Sequence, residues 1–72
     1  MRDEIYSWLL KIDILKATFG KIQEVKTYPD MQDVYEKLMS DLRGNLLSHV
    51  AEAKKFTDPW FANLTVEDLG IL

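Results

Sequence analysis

The most constraining feature of this sequence is a run of apolar residues with alternating three- and four-residue spacing near the N-terminus. These residues, called the first seam below, are Ile5, Trp8, Ile12, Leu15, Phe19 and Ile22. The spacing places their side chains along one side of an α-helix, whereas a strand would need an apolar residue at every second position. The pattern predicts a helix from about Glu4 to Val25 or Lys26.

The same predicted helix has apolar residues on a second side. This second arc, which lies roughly opposite the first seam, consists of Tyr6, Leu10, Ile14, Ala17 and Val25. A helix that is apolar on two sides is expected to be covered on both. A second helix can cover one side. The other side is either covered in part by the apolar C-terminal residues or left as an exposed patch that marks a protein interface.

A second helix is predicted from about Met31. Before it, Pro29 restricts Tyr28 to extended geometry, and Asp30 is expected to cap the second helix. The helix is indicated by a broad apolar stripe formed by Met31, Val34, Tyr35, Leu38, Leu42, Leu46, Ala53 and Phe56. Gly44-Asn45 could divide it into two helices. Because the apolar phase continues past this pair, we predict one continuous helix.

The C-terminal residues predict two short helical turns. In the first, Thr57 or Asp58 caps the turn and Pro59 takes the first helical position. The second turn starts at Thr65, with Asp68 three residues later as a near match to a capping box, and ends at Gly70. This tail is expected to pack on the helices, with an apolar set of Trp60, Phe61, Leu64, Leu69, Ile71 and Leu72.

Chain length limits how much stability the core can supply. A chain of 72 residues buries only roughly 60% of its unfolded surface, and such a core supplies ~3–5 kcal/mol. The absence of Cys and the single His exclude disulfides and a Cys/His metal cluster, which leaves oligomerisation or a partner protein as the means of stabilisation. We therefore predict one all-α domain over residues 1–72, an antiparallel helical hairpin plus a short C-terminal helix, completed by self-association.

Charge and hydropathy narrow the classes of partner. The net charge of −3 and the dispersed basic residues disfavour binding to nucleic acid. The N-terminal residues lack the basic-then-apolar order of a signal peptide, and no apolar run approaches the ~20 residues of a membrane span. The expectation is a cytoplasmic protein, with the cytosol of a host cell as an equal alternative, that does not act at a membrane.

No residue pattern indicates catalysis or a cofactor. Serine, threonine and acidic residues are present without the spacing of a nucleophile and base or of a carboxylate pair. His49 and Glu52 share a helical face, but two ligands do not make a metal site. We interpret His49 as a hydrogen-bonded residue at a helix interface, with Asn45 near it. The predictions are no enzyme, no cofactor and no metal.

Two functions remain. The first is a protein interaction module, acting as a regulator, an inhibitor or a small subunit of a complex, and forming a homo-oligomer, most simply a dimer. Its expected interface residues are Tyr6, Leu10, Ile14, Ala17, Val25, Trp60 and Phe61. The alternative is a small-molecule binder with a pocket between protomers, lined by Tyr28, Tyr35, Arg43 and His49.

Overall fold

Two long helices packed against each other make up most of the molecule. The computed structural model describes the chain from Arg2 to Leu72, with side chains from Asp3 onward. Helix α1 runs over Arg2–Lys26 and helix α2 over Gln32–Ala53, and short 3₁₀ turns occupy Pro29–Met31, Pro59–Phe61 and Glu67–Leu69. No strand occurs among residues 2–72. The all-helical prediction and both predicted long helices are confirmed.

The turn between the helices is closed by a side chain that the sequence pattern did not single out. The side-chain amide of Gln32 donates hydrogen bonds to the carbonyl oxygens of Lys26 and Tyr28, both at 3.0 Å. Tyr28 is extended, with φ −98° and ψ 113°, as expected before Pro29. The prediction that Asp30 caps α2 is wrong, because α2 begins after Met31 without a side-chain cap and Asp30 lies inside the preceding 3₁₀ turn.

Helix α2 continues through Gly44 without a break, which confirms the prediction of one helix. A turn at this point would have reset the direction of the apolar side chains beyond it. Instead Leu42 before the glycine and Leu46 after it are both almost completely buried. The apolar stripe therefore continues past Gly44 because a single face of α2 packs against α1.

The core forms where the first seam of α1 meets the apolar stripe of α2. Trp8 near the start of α1 packs beside His49 near the end of α2, so the two helices are antiparallel. From α1 the buried apolar residues are Trp8, Leu15 and Ile22, and from α2 they are Leu42, Leu46, Val50 and Ala53. The remaining seam residues, Ile5, Ile12 and Phe19, are partly buried and pack against this core.

The tail folds into its two short turns much as its residues predict. The Asp58 carboxylate accepts a hydrogen bond from the backbone N–H of Trp60 at 2.9 Å, and the Asp68 carboxylate accepts one from the N–H of Thr65 at 2.9 Å. Gly70 ends the second turn with φ 73°, a left-handed conformation that favours glycine. The tail adds Phe61, Leu64, Leu69 and Ile71 to the buried core.

A lysine at the end of α2 holds the tail in place. The ammonium group of Lys54 donates to the carbonyl oxygens of Phe61 at 3.2 Å, Ala62 at 2.9 Å and Leu64 at 2.9 Å. The expected packing of the tail on the helices is thus observed. The molecule measures 45 × 19 × 15 Å, and no helix within residues 2–72 has the length and apolar character needed to cross a bilayer.

Candidate interaction surface

The second arc of α1 is largely uncovered in the folded chain. Tyr6 is 65% exposed, Leu10 47% and Ile14 64%, and Ala17 is also exposed. These four residues are called the outer face of α1 below. Val25, the last member of the predicted arc, is half-buried and lines a shallow groove with Leu38 and Leu42 of α2, among other residues. The outer face is an apolar surface that remains after the core has closed.

The tail does not cover the outer face because its aromatic residue Phe61 packs on the first seam instead. The Phe61 ring makes edge contacts with Trp8 and Phe56, with ring centroids 5.5 and 5.0 Å apart. The tail therefore shares the first seam with α2. Two alternatives were expected for the second arc, coverage in part by the tail or exposure. The structure shows that the tail does not cover it.

The adjacent residues Trp60 and Phe61 have different environments. Trp60 is 61% exposed and its ring lies against the edge of Phe61, with centroids 4.9 Å apart. Phe61 is only 4% exposed. Adjacent residues on a short helical turn point in different directions, which explains the contrast. Phe61 was predicted as an interface residue, but its burial makes it a core residue of this fold, whereas Trp60 remains accessible.

His49 is buried at the contact between the helices. The residue is 3% exposed, and its ring stacks on Trp8, with centroids 4.3 Å apart and planes 8° from parallel. The backbone carbonyl of His49 accepts a hydrogen bond from the indole N–H of Trp8 at 2.7 Å. Neither ring nitrogen has a hydrogen-bond partner within the described chain. The predicted position of His49 at the contact between the helices is confirmed, and the hydrogen bond of 2.7 Å at this position uses its backbone carbonyl.

The buried environment favours the neutral form of His49. Removal from water lowers the pKa of His49 below its ordinary value of 6.5, because the charged imidazolium loses its hydration. The Trp8 backbone beside the ring and the Glu52 carboxylate act in the opposite direction, and the Lys11 ammonium adds slightly to the decrease. These two groups also approach each other at 4.0 Å. His49 is therefore neutral near pH 7.

A cleft of about 320 Å³ lies between α1 and α2 beside His49. Its lining combines polar and charged groups with two aliphatic side chains: Lys11, Ile14, Leu15, Asn45, Ser48, His49 and Glu52. Ile14 belongs to both the cleft and the outer face. Asn45, which was predicted to lie near His49, is on the rim and exposed.

The other residues predicted for a small-molecule pocket lie elsewhere on the chain. Tyr28 is exposed in the turn between the helices, and Tyr35 is half-buried with the Lys26 ammonium 5.7 Å from its ring centroid. Arg43 lines a different groove, next to Leu47 and the tail. A single chain therefore does not bring these residues together with His49, and a pocket between protomers stays a prediction.

Within the described residues, no group of three or more His, Asp or Glu side chains is arranged to hold a metal ion. No protein-family model, curated protein or solved structure shows significant similarity to this chain.

Proposed function

We propose that this chain is a protein interaction module that binds another protein through the outer face of α1, as a regulator, an inhibitor or a small subunit of a complex. The observation that supports it is the exposure of Tyr6, Leu10 and Ile14 side by side on one helix face. Contiguous apolar patches of this kind on a small domain mark interaction sites.

The outer face supplies a useful amount of binding free energy. Fully burying a Leu or Ile side chain contributes about 1.5–3 kcal/mol, and Leu10 and Ile14 still expose 47% and 64% of their surfaces. Covering both therefore contributes on the order of 1–2 kcal/mol each. Tyr6 adds an aromatic ring, the residue type that is enriched in the energetically dominant parts of interfaces.

The proposal is tested with the double variant Leu10→Glu/Ile14→Glu. Both side chains point away from the core, so the variant should keep its helical circular dichroism while it loses binding. Two readouts are used: light scattering of the purified chain, and capture from native cytosol followed by mass spectrometry. A bound species, whether a second copy or another protein, should be present with the parent chain and absent with the variant.

The matched control is Val34→Glu/Leu47→Glu, which places the same charges at other exposed apolar positions. Val34 is 43% exposed and Leu47 58%, close to the values for Leu10 and Ile14. This control should retain the bound species. The proposed function is refuted if the outer-face variant keeps every interaction of the parent chain, or if both double variants lose them equally.

A small-molecule site is the second candidate, and the buried unpartnered ring of His49 beside a partly polar cleft favours it. Buried polar groups normally have hydrogen-bond partners, and a ligand bound in the cleft would supply one to the ring. The cleft-rim variant Ser48→Ala should then lose the stabilisation that a ligand gives in a thermal-shift screen of cytosolic metabolites. Equal shifts in the parent chain and in Ser48→Ala, or no shift in either, would exclude this cleft.

A further inference from the structure

A stripe of exposed residues along α1 has a symmetric arrangement. At 100° per residue, six side chains fall within an arc of about 80° that overlaps the outer face: Asp3, Ser7, Leu10, Ile14, Ala17 and Lys21. All six are exposed. They succeed each other at three- or four-residue intervals, as in the contact line of a two-helix coiled coil.

The stripe is complementary to a second copy of itself that runs in the opposite direction and is aligned with it at the level of Ile12. Leu10 and Ile14 are each two residues from that level. Two small residues, Ser7 and Ala17, are each five residues from it, and the two charged residues, Asp3 and Lys21, are each nine residues from it. The reversed stripe therefore matches large apolar with large apolar, small with small, and negative with positive.

We propose that the occupant of the outer face is a second copy of this chain, with the two α1 helices packed antiparallel about a two-fold axis at the level of Ile12. This inference rests on the proposed function and names the partner. In this register Leu10 of each copy meets Ile14 of the other. The small residues let the helices approach closely, and Asp3 of each copy lies level with Lys21 of the other, both on the midline of the stripe.

Charge favours this two-fold arrangement over a parallel one. A two-fold interface uses the same surface patch on both copies, so every contact outside the axis occurs twice. A parallel pair would place Asp3 against Asp3 and Lys21 against Lys21, which is repulsive. Within the described residues the one ion pair joins Lys11 to Glu52, so the charges at both ends of the stripe can pair with a second copy.

The small size of the chain is a physical reason for it to associate with a second copy. A core built from 72 residues without disulfides has little stability of its own, and association of identical hairpins adds apolar contacts without new sequence. Helix α1 is 25 residues long, and the contact would extend along it from Asp3 to Lys21. The resulting dimer has four long helices, with the two α1 helices at its centre.

The test uses charge reversal at the two ends of the stripe. Asp3→Lys gives a chain with lysine at both positions, and Lys21→Asp gives one with aspartate at both. Each variant alone should dimerise about tenfold more weakly than the parent chain, because two ion pairs become two like-charge contacts. An equimolar mixture should form a heterodimer at least as tightly as the parent homodimer, and native mass spectrometry separates the three dimers by mass.

Two control variants carry the same charge changes outside the stripe. They are Glu4→Lys and Lys16→Asp. Position 4 lies in the same helical turn as Asp3 but points about 100° away from it, and position 16 points about 140° away from Lys21. Both positions are exposed. These variants should dimerise like the parent chain, alone and in mixture. Circular dichroism monitors folding throughout, and a variant that unfolds alone should regain helicity in the stripe mixture.

The outcomes separate this inference from the proposed function. The second copy is ruled out if the parent chain is monomeric throughout the micromolar range, and the antiparallel register is ruled out if the stripe variants dimerise like the parent or if their mixture restores nothing. A monomeric parent chain that still captures another protein in a way that depends on Leu10 and Ile14 overturns only this inference. If the parent chain neither dimerises nor captures another protein through Leu10 and Ile14, the proposed function is overturned as well.

Discussion

Mild acid should destabilise this protein through His49. The residue is 3% exposed, and its ring stacks on Trp8 and has no hydrogen-bond partner at either nitrogen within the described chain. Protonation would place a positive charge on a ring that has been removed from water. The nearest charged groups, Lys11 and Glu52, oppose each other in their effect on the ring. The fold therefore holds the neutral imidazole better than the imidazolium.

The sign and size of the effect are set by linkage. Because the pKa of His49 is lowered in the folded chain, the unfolded chain takes up the proton first, starting near its ordinary value of 6.5. The contribution of His49 to the free energy of unfolding is therefore complete above that pH. It decreases as the pH drops toward the folded pKa, by at most about 1.4 kcal/mol per pH unit. This bound, reached only if the ring stays neutral throughout, is roughly a third of the ~3–5 kcal/mol expected of such a core.

The measurement is urea unfolding at fixed protein concentration, monitored by far-ultraviolet circular dichroism and by tryptophan fluorescence. Between about pH 7.5 and 5.5 few carboxylates or amines titrate, so His49 dominates the change. With a urea dependence of about 1 kcal/mol per molar, the midpoint should fall with pH, by at most about 1 M. The control variant His49→Phe keeps an aromatic ring against Trp8 and cannot bind a proton.

The midpoint of His49→Phe should change little over the same pH range, whatever its absolute stability. An equal decrease in the parent chain and in His49→Phe would show that another group is responsible. A parent midpoint that does not move between about pH 7.5 and 5.5 would show that the folded chain accommodates the imidazolium, and the linkage argument would be refuted.

Other substitutions test the backbone and the tail. Gly44→Ala should stabilise α2 by about 1 kcal/mol in thermal unfolding, because Ala favours the helix and the added methyl group would meet no packed neighbour. Gly70→Ala should cost about 1–2 kcal/mol in the same assay, since its φ is 73°. Lys54→Met should expose the tail to proteolysis by removing three hydrogen bonds to carbonyls, whereas Lys55→Met, at an exposed position, should not. Asp58→Ala should cost about 1 kcal/mol through loss of the cap on Trp60. Binding to random DNA at physiological salt should be undetectable, and tight, salt-sensitive retention on DNA would contradict that expectation.

The helices were predictable from the sequence because their apolar periodicity has one dominant physical cause. The first seam and the stripe on α2 are the faces that pack together, so spacing alone identified both helices and the continuity through Gly44. The tail turns were predictable for a different reason. Asp58 and Asp68 make local hydrogen bonds to the nearby N–H groups of Trp60 and Thr65, and such bonds depend only on neighbouring residues.

The details that the sequence did not reveal depend on contacts between distant parts of the chain. Lys54 reaches the carbonyls of the tail because of where α2 ends, and nothing in its sequence context distinguishes it from Lys55. His49 was placed correctly on the helix stripe, but the absence of a partner for its ring within the described chain depends on the geometry of Trp8 across the contact. Asp30 resembles a cap in sequence, yet Gln32 closes the turn instead.

The position of Phe61 links the fold to the proposed function. Periodicity identifies two apolar sides on α1 but cannot say which side the tail will choose. Phe61 packs on Trp8 and Phe56, within the aromatic cluster at the open end of the hairpin, and so the tail completes the core that α2 began. The outer face therefore contributes little to folding, because Leu10 and Ile14 add little to the core and about half or more of each side chain remains exposed. An apolar surface that the core does not require is the feature from which association with another chain is inferred.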